Sequence, residues 1–382
     1  MEIKVLAVGD PAVYAYTDES LDILGRWRWS GGGAVKFDIV PWDRYLEVLE
    51  REFAATRPEY DIVMLPGHLW LPEFVASRRL APLSDFSAKI PASDWEDLKP
   101  FVRDELSYAD ELYLMPSFTD GHLLFYRTDG AVATPAGRTT TPREIPDLAR
   151  RNDSSSRRGI ALKADPSELF LDWLPYLWAH GGDLLSEEGE PAFDGDEGVT
   201  SLELYSSLRI YAPEDTGGYG NEEIARVLRE GEVALAVSWG GQAGFIYGDS
   251  GNRGYRDNLE AVTLERPWNV VWSFGLLAGA TDPAAAFELL RFLSSPEIDR
   301  LVGRYAGSPV RRSTYRDEAE TVPWYPAQEA MLDRCERLPR HPKMNAILPV
   351  VTAALAKVFA GDGEAARELR AAATTVRSIL NA

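Results

Sequence analysis

Three short apolar runs separated by amphipathic stretches set the strongest limit on what this chain can fold into. They are IKVLAV (3–8), VKFDIV (35–40) and DIVML (61–65). TDESLDILGRWRW lies between the first two, with Asp18 as its N-cap candidate. After the second, Asp43 is placed to cap a helix in which Leu46, Leu49 and Phe53 fall at i, i+3 and i+7. Strand, helix, strand, helix, strand calls for right-handed crossovers and a parallel, doubly wound sheet, the α/β class. Such sheets bind ligands beyond the carboxyl ends of their strands. Here those ends carry Gly9-Asp10-Pro11, Pro41-Trp42-Asp43 and Pro66-Gly67-His68-Leu69-Trp70. Asp10, Trp42, Asp43, His68 and Trp70 are therefore candidate ligand residues, with Tyr14 joining them from the first loop. The plainer roles are N-caps for Asp10 and Asp43 and a satisfied loop position for His68.

A second α/β pattern follows further along. ELYLMPSFTDGHLLFYRTD (111–129) holds two strand patterns around PSFTDG, a polar segment bounded by Pro116 and Gly121 and suited to crossing between lobes. RGIALKA (158–164) reads as a strand and SELFLDWLPYLWAHGG (167–182) as a helix, with further helices near 196–210 and 221–230. EVALAV (232–237) and WSFGLLAG (272–279) are later strands, and SWGGQAG closes the first of them. In DPAAAFELLRFLSS (282–295), Pro283 suits the first helical position, and Phe287, Leu290 and Leu293 share a face. Ser295-Pro296 starts another helix, GSPVRRSTY (307–315) reads as a further crossing, and the chain from about 323 is helical.

Composition removes several functions. A formal charge of −20 disfavours nucleic acid and anionic membrane surfaces, which need clustered Lys and Arg. The one cysteine, Cys335, rules out an intrachain disulfide and multi-thiolate zinc. No apolar run approaches the ~20 residues that cross a bilayer. MEIKVLAVGD enters a strand pattern without the regions of a signal peptide. That leaves two readings: a chain lacking its leader, or a cytoplasmic protein. There is no G-x-S-x-G elbow, H-E-x-x-H or Walker A loop, and the four histidines are dispersed without ligand spacing. No metal or cofactor is expected, and no enzyme. A glycosidase would need two carboxylates at fixed separation, and nothing local singles out a pair among sixty acidic residues.

Six motifs in order carry a resemblance over nearly the whole chain. DIVML is followed by FVASRRLAPLSDF (74–86), which matches a G-x-L-x-P-L turn except that Arg79 stands where a glycine is usual. YLMPSFTDGHLLFYRTD, GGDLLSEEGEPAF, GEVALAVSW (231–239), AAFELLRFLSSPEID and GSPVRR follow. The sequence thereby resembles the family 1 extracellular solute-binding proteins of ABC importers, the maltose-binding-protein-like group. The resemblance implies two α/β lobes of the type II periplasmic-binding-protein fold, with a ligand cleft between them and hinge closure. The expected lobes are 1–115 with 280–308, and 116–279 with 309–382, with crossings near 116–121, 275–280 and 307–312. It implies an extracytoplasmic monomer that delivers a neutral mono- or oligosaccharide to membrane permease subunits. A cytoplasmic or surface sensor of the same fold, or a receptor for a sugar acid or polyamine, is the alternative.

A sugar needs hydrogen-bonding side chains and aromatic faces for its C–H patches. The resemblance places Trp239, after a buried strand, as a sugar-stacking residue, and Trp272 as a further aromatic contact. Asp120 in the first crossing and Arg311 in the last are the polar candidates, with an Asx-turn as the plain role of Asp120. Gly181 or Gly182 suits a left-handed C-cap. That leaves Asp183 either facing the groove or bracing the helix end.

Overall fold

The computed structural model describes residues 2–55, 58–248 and 255–382, with the side chain of Asp43 also outside the description. The chain folds into two compact units, Met1–Asp120 with Val270–Tyr325, and Gly121–Asn269 with Pro326–Ala382. Among the described residues no helix is long and apolar enough to cross a membrane.

In the first unit the strands Glu2–Val8, Ala34–Val40 and Ile62–Pro66 run parallel, with Glu2–Val8 central to the three. This is the doubly wound α/β pattern of the sequence. The strand Asn269–Leu276 adds to Ile62–Pro66 antiparallel, with Trp272 opposite Pro66. In the second unit the strand Arg158–Ala161 runs parallel to Val233–Trp239. Val233–Trp239 and Leu259–Leu264 both pair antiparallel with the end of the long strand Leu114–Arg127. Helices cover these sheets with faces set by local chemistry. The helix Pro283–Leu293 starts where Asp282 accepts from Ala285 N at 3.0 Å, and it buries Phe287, Leu290 and Leu293. The helix Asn221–Glu230 ends on Gly231, whose φ of +80° suits glycine.

Several expectations shift for identifiable reasons. Asp18 is the N-cap of no helix; it is the C-cap residue of Pro11–Thr17. Its Oδ1 accepts from Ser20 N at 2.8 Å, a local turn, while the helix Pro11–Thr17 starts earlier, with Asp10 as N-cap and proline in its first turn. Asp43 lies inside the helix Trp42–Ala54, whose N-cap is Pro41. His68 and Trp70 are helical rather than in a loop, on Gly67–Ala76. A Cβ on Gly67 would sit 2.5 Å from Glu105 Oε2, so glycine there reflects close packing and not a turn.

PSFTDG is part of the continuous strand Leu114–Arg127, because its polar groups find partners in extended conformation. Ser294 Oγ donates to Pro116 O at 2.6 Å, Ser117 Oγ bonds Tyr16 Oη at 2.7 Å, and Thr119 N donates to Ser308 O at 3.1 Å.

The unit boundaries follow from the same contacts. The first crossing, at Asp120–Gly121, lies within the expected 116–121, whereas the other two fall at 269–270 and 325–326 instead of near 275–280 and 307–312. The strand Asn269–Leu276 belongs with Ile62–Pro66 by pairing. GSPVRRSTY is held in the first unit, where Trp324 Nε1 donates to Gly307 O at 2.7 Å and Lys99 N to Val310 O at 3.0 Å.

Candidate functional site

The antiparallel register of Leu114–Arg127 with Val233–Trp239 sets His122 directly opposite Trp239. Directly paired residues share a sheet face, and the two rings stack with centroids 4.3 Å apart. Trp268 stands 5.3 Å from Trp239 and 6.1 Å from His122, and its carbonyl accepts from His122 N at 3.1 Å. The chain leaving Arg158–Ala161 brings in Lys163, whose side chain is fully buried. Its Nζ lies 3.2 Å from the Trp239 ring centroid and 3.7 Å from Glu168 Oε2. Glu168 is the N-cap residue of the helix Leu169–Ala179 and accepts from Trp239 Nε1 at 3.0 Å and Asn221 Nδ2 at 3.1 Å. Asp172, one turn on, accepts from Lys163 N at 3.1 Å and Tyr205 Oη at 2.8 Å.

Burial dominates the electrostatics of this cluster. It raises the Glu168 carboxyl and pushes Asp172 up to about 6, with the charge of Lys163 pulling both back. Burial, and then the Lys163 charge, hold His122 well below its ordinary value, so its imidazole is neutral at physiological pH. The Asp172 carboxyl binds its proton more tightly folded than unfolded. Its stabilising contribution is fully present below the ordinary 3.8 and is lost as pH rises through about 6. A rise of that size corresponds to about 3 kcal/mol. Asp172→Asn is expected to flatten that fall. Urea midpoints from pH 4 to 7 check it, and curves parallel to those of the unaltered protein would refute it.

In the first unit the structure brings Trp42, Trp70 and Trp272 together. Trp42 stacks on Trp70 at 6.0 Å and 10°, and Trp272 meets them edge-on at 5.8 Å and 6.0 Å. Phe118 stacks on Trp272 at 6.2 Å, and Tyr45, whose Oη donates to Met64 O at 2.7 Å, stacks on Trp70. Trp70 and Trp272 are buried, while Trp42 is half-buried.

The other expected residues divide by what holds them. Trp239 is 3% exposed, and its ring is met by His122 and Lys163 of its own unit, so the stacking face expected for a sugar is taken up internally. His68 is an interior brace: its Nδ1 lies 2.6 Å from Glu105 Oε2, with both side chains fully buried. Arg311 is buried among first-unit groups, donating to Asp94 O at 2.8 Å and to Ser294 O, with Asp97 at 3.5 Å. Asp10 takes its N-cap role, accepting from Ala12 N at 2.8 Å. Tyr14 is 46% exposed. Asp120 is buried, at the last position of the first unit's opening segment. Asp183 braces its helix end, accepting from Leu184 N at 2.7 Å and Trp178 Nε1 at 3.3 Å, with Gly181 at φ +86°. The side chain of Asp43 lies outside the described residues.

Sequence reading missed His122, Lys163 and Glu168. Each carried a signal: a polar residue set in or beside an apolar run, as in GHLLFYR and ALKADPSELF. Among the described residues no group of three or more His, Cys, Asp and Glu side chains is arranged to hold a metal ion.

Comparison with known proteins fits this architecture. The chain is 24% identical over 332 residues to a probable ABC transporter-binding protein of Deinococcus radiodurans, covering 81% of this chain and 77% of that one. It is 24% identical over 338 residues to a mannitol-binding protein of Pseudomonas aeruginosa, covering 82% and 75%. The fold matches maltose-bound MalE3 of T. maritima with a TM-score of 0.87 at 19% identity, over 99% of both chains. The family model described as bacterial extracellular solute-binding protein matches residues 24–299, and the chain belongs to that family.

Proposed function

We propose that this protein is the solute-receiving component of an ABC importer, that its ligand is an uncharged sugar or polyol, and that it passes the ligand to membrane permease subunits without chemical change. The observation that carries the ligand class is the aromatic surface of the first unit. Trp42, half-buried and backed by Trp70 and Trp272, offers an indole face to C–H patches. The second unit, by itself, holds a neutral imidazole at His122 and a lysine paired with Glu168. Membership of the solute-binding family supports the transport role, and the mannitol-binding relative supports the polyol class. The same reading puts the mature protein outside the cytoplasmic membrane, as a monomer.

The test is a thermal-shift series with D-mannitol, maltose, glucuronate and putrescine. A ligand present at a hundred times its Kd adds about 2.7 kcal/mol to the folded state, which raises the melting temperature by a few degrees. A rise with mannitol or maltose is expected. A rise with putrescine or glucuronate alone would refute the uncharged class.

A further inference from the structure

The strand that carries His122 continues as Leu123, Leu124 and Phe125, all fully buried and apolar. His122 is equally buried, yet neither of its ring nitrogens has a hydrogen-bond partner among the described residues. A buried polar group left unmet is costly, and proteins that keep one commonly use it. The surroundings specify the use. Trp239 holds the imidazole by stacking at 4.3 Å, and Trp268 flanks it at 6.1 Å. The neutral ring has one donor and one acceptor. Two hydroxyls, one on each side of the ring and each able to donate and accept, satisfy both. A carboxylate, accepting only, would meet the N–H and leave the bare nitrogen unmet. An ammonium group would meet the bare nitrogen but would face the like charge of Lys163, which already disfavours a proton on His122.

We infer that His122 is a ligand contact that selects uncharged polyhydroxyl compounds, donating to one hydroxyl and accepting from another on the opposite side of the ring. The inference rests on the receptor reading above and assigns its selectivity to one side chain.

The test is titration calorimetry of D-mannitol, maltose and putrescine against the unaltered protein and His122→Phe. Phenylalanine keeps a ring against Trp239 and removes both nitrogens. Binding of whichever uncharged probe the unaltered protein takes is expected to weaken about ten- to a hundredfold, the worth of one or two hydrogen bonds. His122→Asn, which keeps a donor and an acceptor, is expected to lose less. Unliganded His122→Phe is expected to melt no lower than the unaltered protein, since it removes two unmet polar atoms.

Equal affinity in His122→Phe would overturn the contact while leaving the receptor reading intact. A markedly lower melting temperature of the unliganded variant would make His122 a structural brace and overturn the inference without any ligand. Binding of putrescine alone by the unaltered protein would overturn both readings.

Discussion

Replacing Arg311 by alanine is expected to cost about 3–5 kcal/mol of stability, the range for breaking a buried charged pair from one side, and to leave ligand affinity of the folded protein unchanged. The guanidinium is nearly inaccessible, and two parts of the first unit, the helix Ala92–Asp97 and the end of Pro283–Leu293, converge on it. It donates to Asp94 O at 2.8 Å and to Ser294 O, the C-cap residue of Pro283–Leu293, and it stands 3.5 Å from Asp97. Asp97 also accepts from Ser313 N at 2.8 Å and Ser313 Oγ at 2.6 Å, so the arginine and the start of its own helix grip one carboxylate. Alanine leaves the buried Ser294 carbonyl without its donor and removes the cation beside the Asp97 carboxylate. Urea unfolding reads the loss. Arg311→Lys restores a charge but not the planar fork, so it is expected to fall between the two. A normal unfolding midpoint combined with weakened ligand binding would show instead that the arginine faces the ligand, as its motif position suggests.

How much of this was legible in the sequence depends on the range of the interaction that fixes each feature. The parallel trio Glu2–Val8, Ala34–Val40 and Ile62–Pro66 was legible because each strand declares itself in its own residues. So were the helix Pro283–Leu293, through Pro283 and the face of Phe287, Leu290 and Leu293, and a left-handed glycine within the Gly181-Gly182 pair. Features decided by distant partners were not. PSFTDG looks like a polar loop until Tyr16, Ser294 and Ser308 supply its hydrogen bonds. His68 looks like a loop position until the helix Gly67–Ala76 sets it against Glu105. The candidate site divides the same way. Trp42 and Trp70 are candidates because they follow strand ends, Trp272 through the resemblance, and the structure brings the three together. Trp239 reads as an open face, yet the residues that cover it come from 76 or more positions away in sequence, His122 on the neighbouring strand and Lys163 in a short buried segment outside every motif. Arg311 and His68 sit in segments that name a place in the fold, but a side chain's direction is set by neighbours such as Glu105 and Asp97.

The second large effect is expected at Lys163. Methionine there matches the aliphatic stem but removes the only cationic group paired with Glu168 among the described residues, leaving two buried carboxyls, Glu168 and Asp172, in an apolar setting. The expected loss is about 3–5 kcal/mol at pH 7. It should shrink on acidification. Without the lysine both carboxyls hold their protons to still higher pH, and the folded state gains stability as pH falls through that range.

The double variant Lys163→Met, Glu168→Gln is expected to recover part of the loss, because the glutamine oxygen still accepts from Trp239 Nε1 and Asp172 is then the one buried carboxyl left in the cluster. Recovery measured as a double-mutant cycle isolates the pair itself. No recovery would place the destabilisation in lost packing over the Trp239 ring. The same pair of variants reaches the ligand. Removing the lysine removes the charge that disfavours a proton on His122, so its ring is expected to titrate at higher pH in both variants, which proton resonances of the imidazole report directly. With the charge of Lys163 gone, the receptor should lose its discrimination against putrescine while the His122 ring is neutral and regain it as the ring takes up a proton. An unchanged preference for uncharged probes in the double variant would show that Lys163 serves the fold alone.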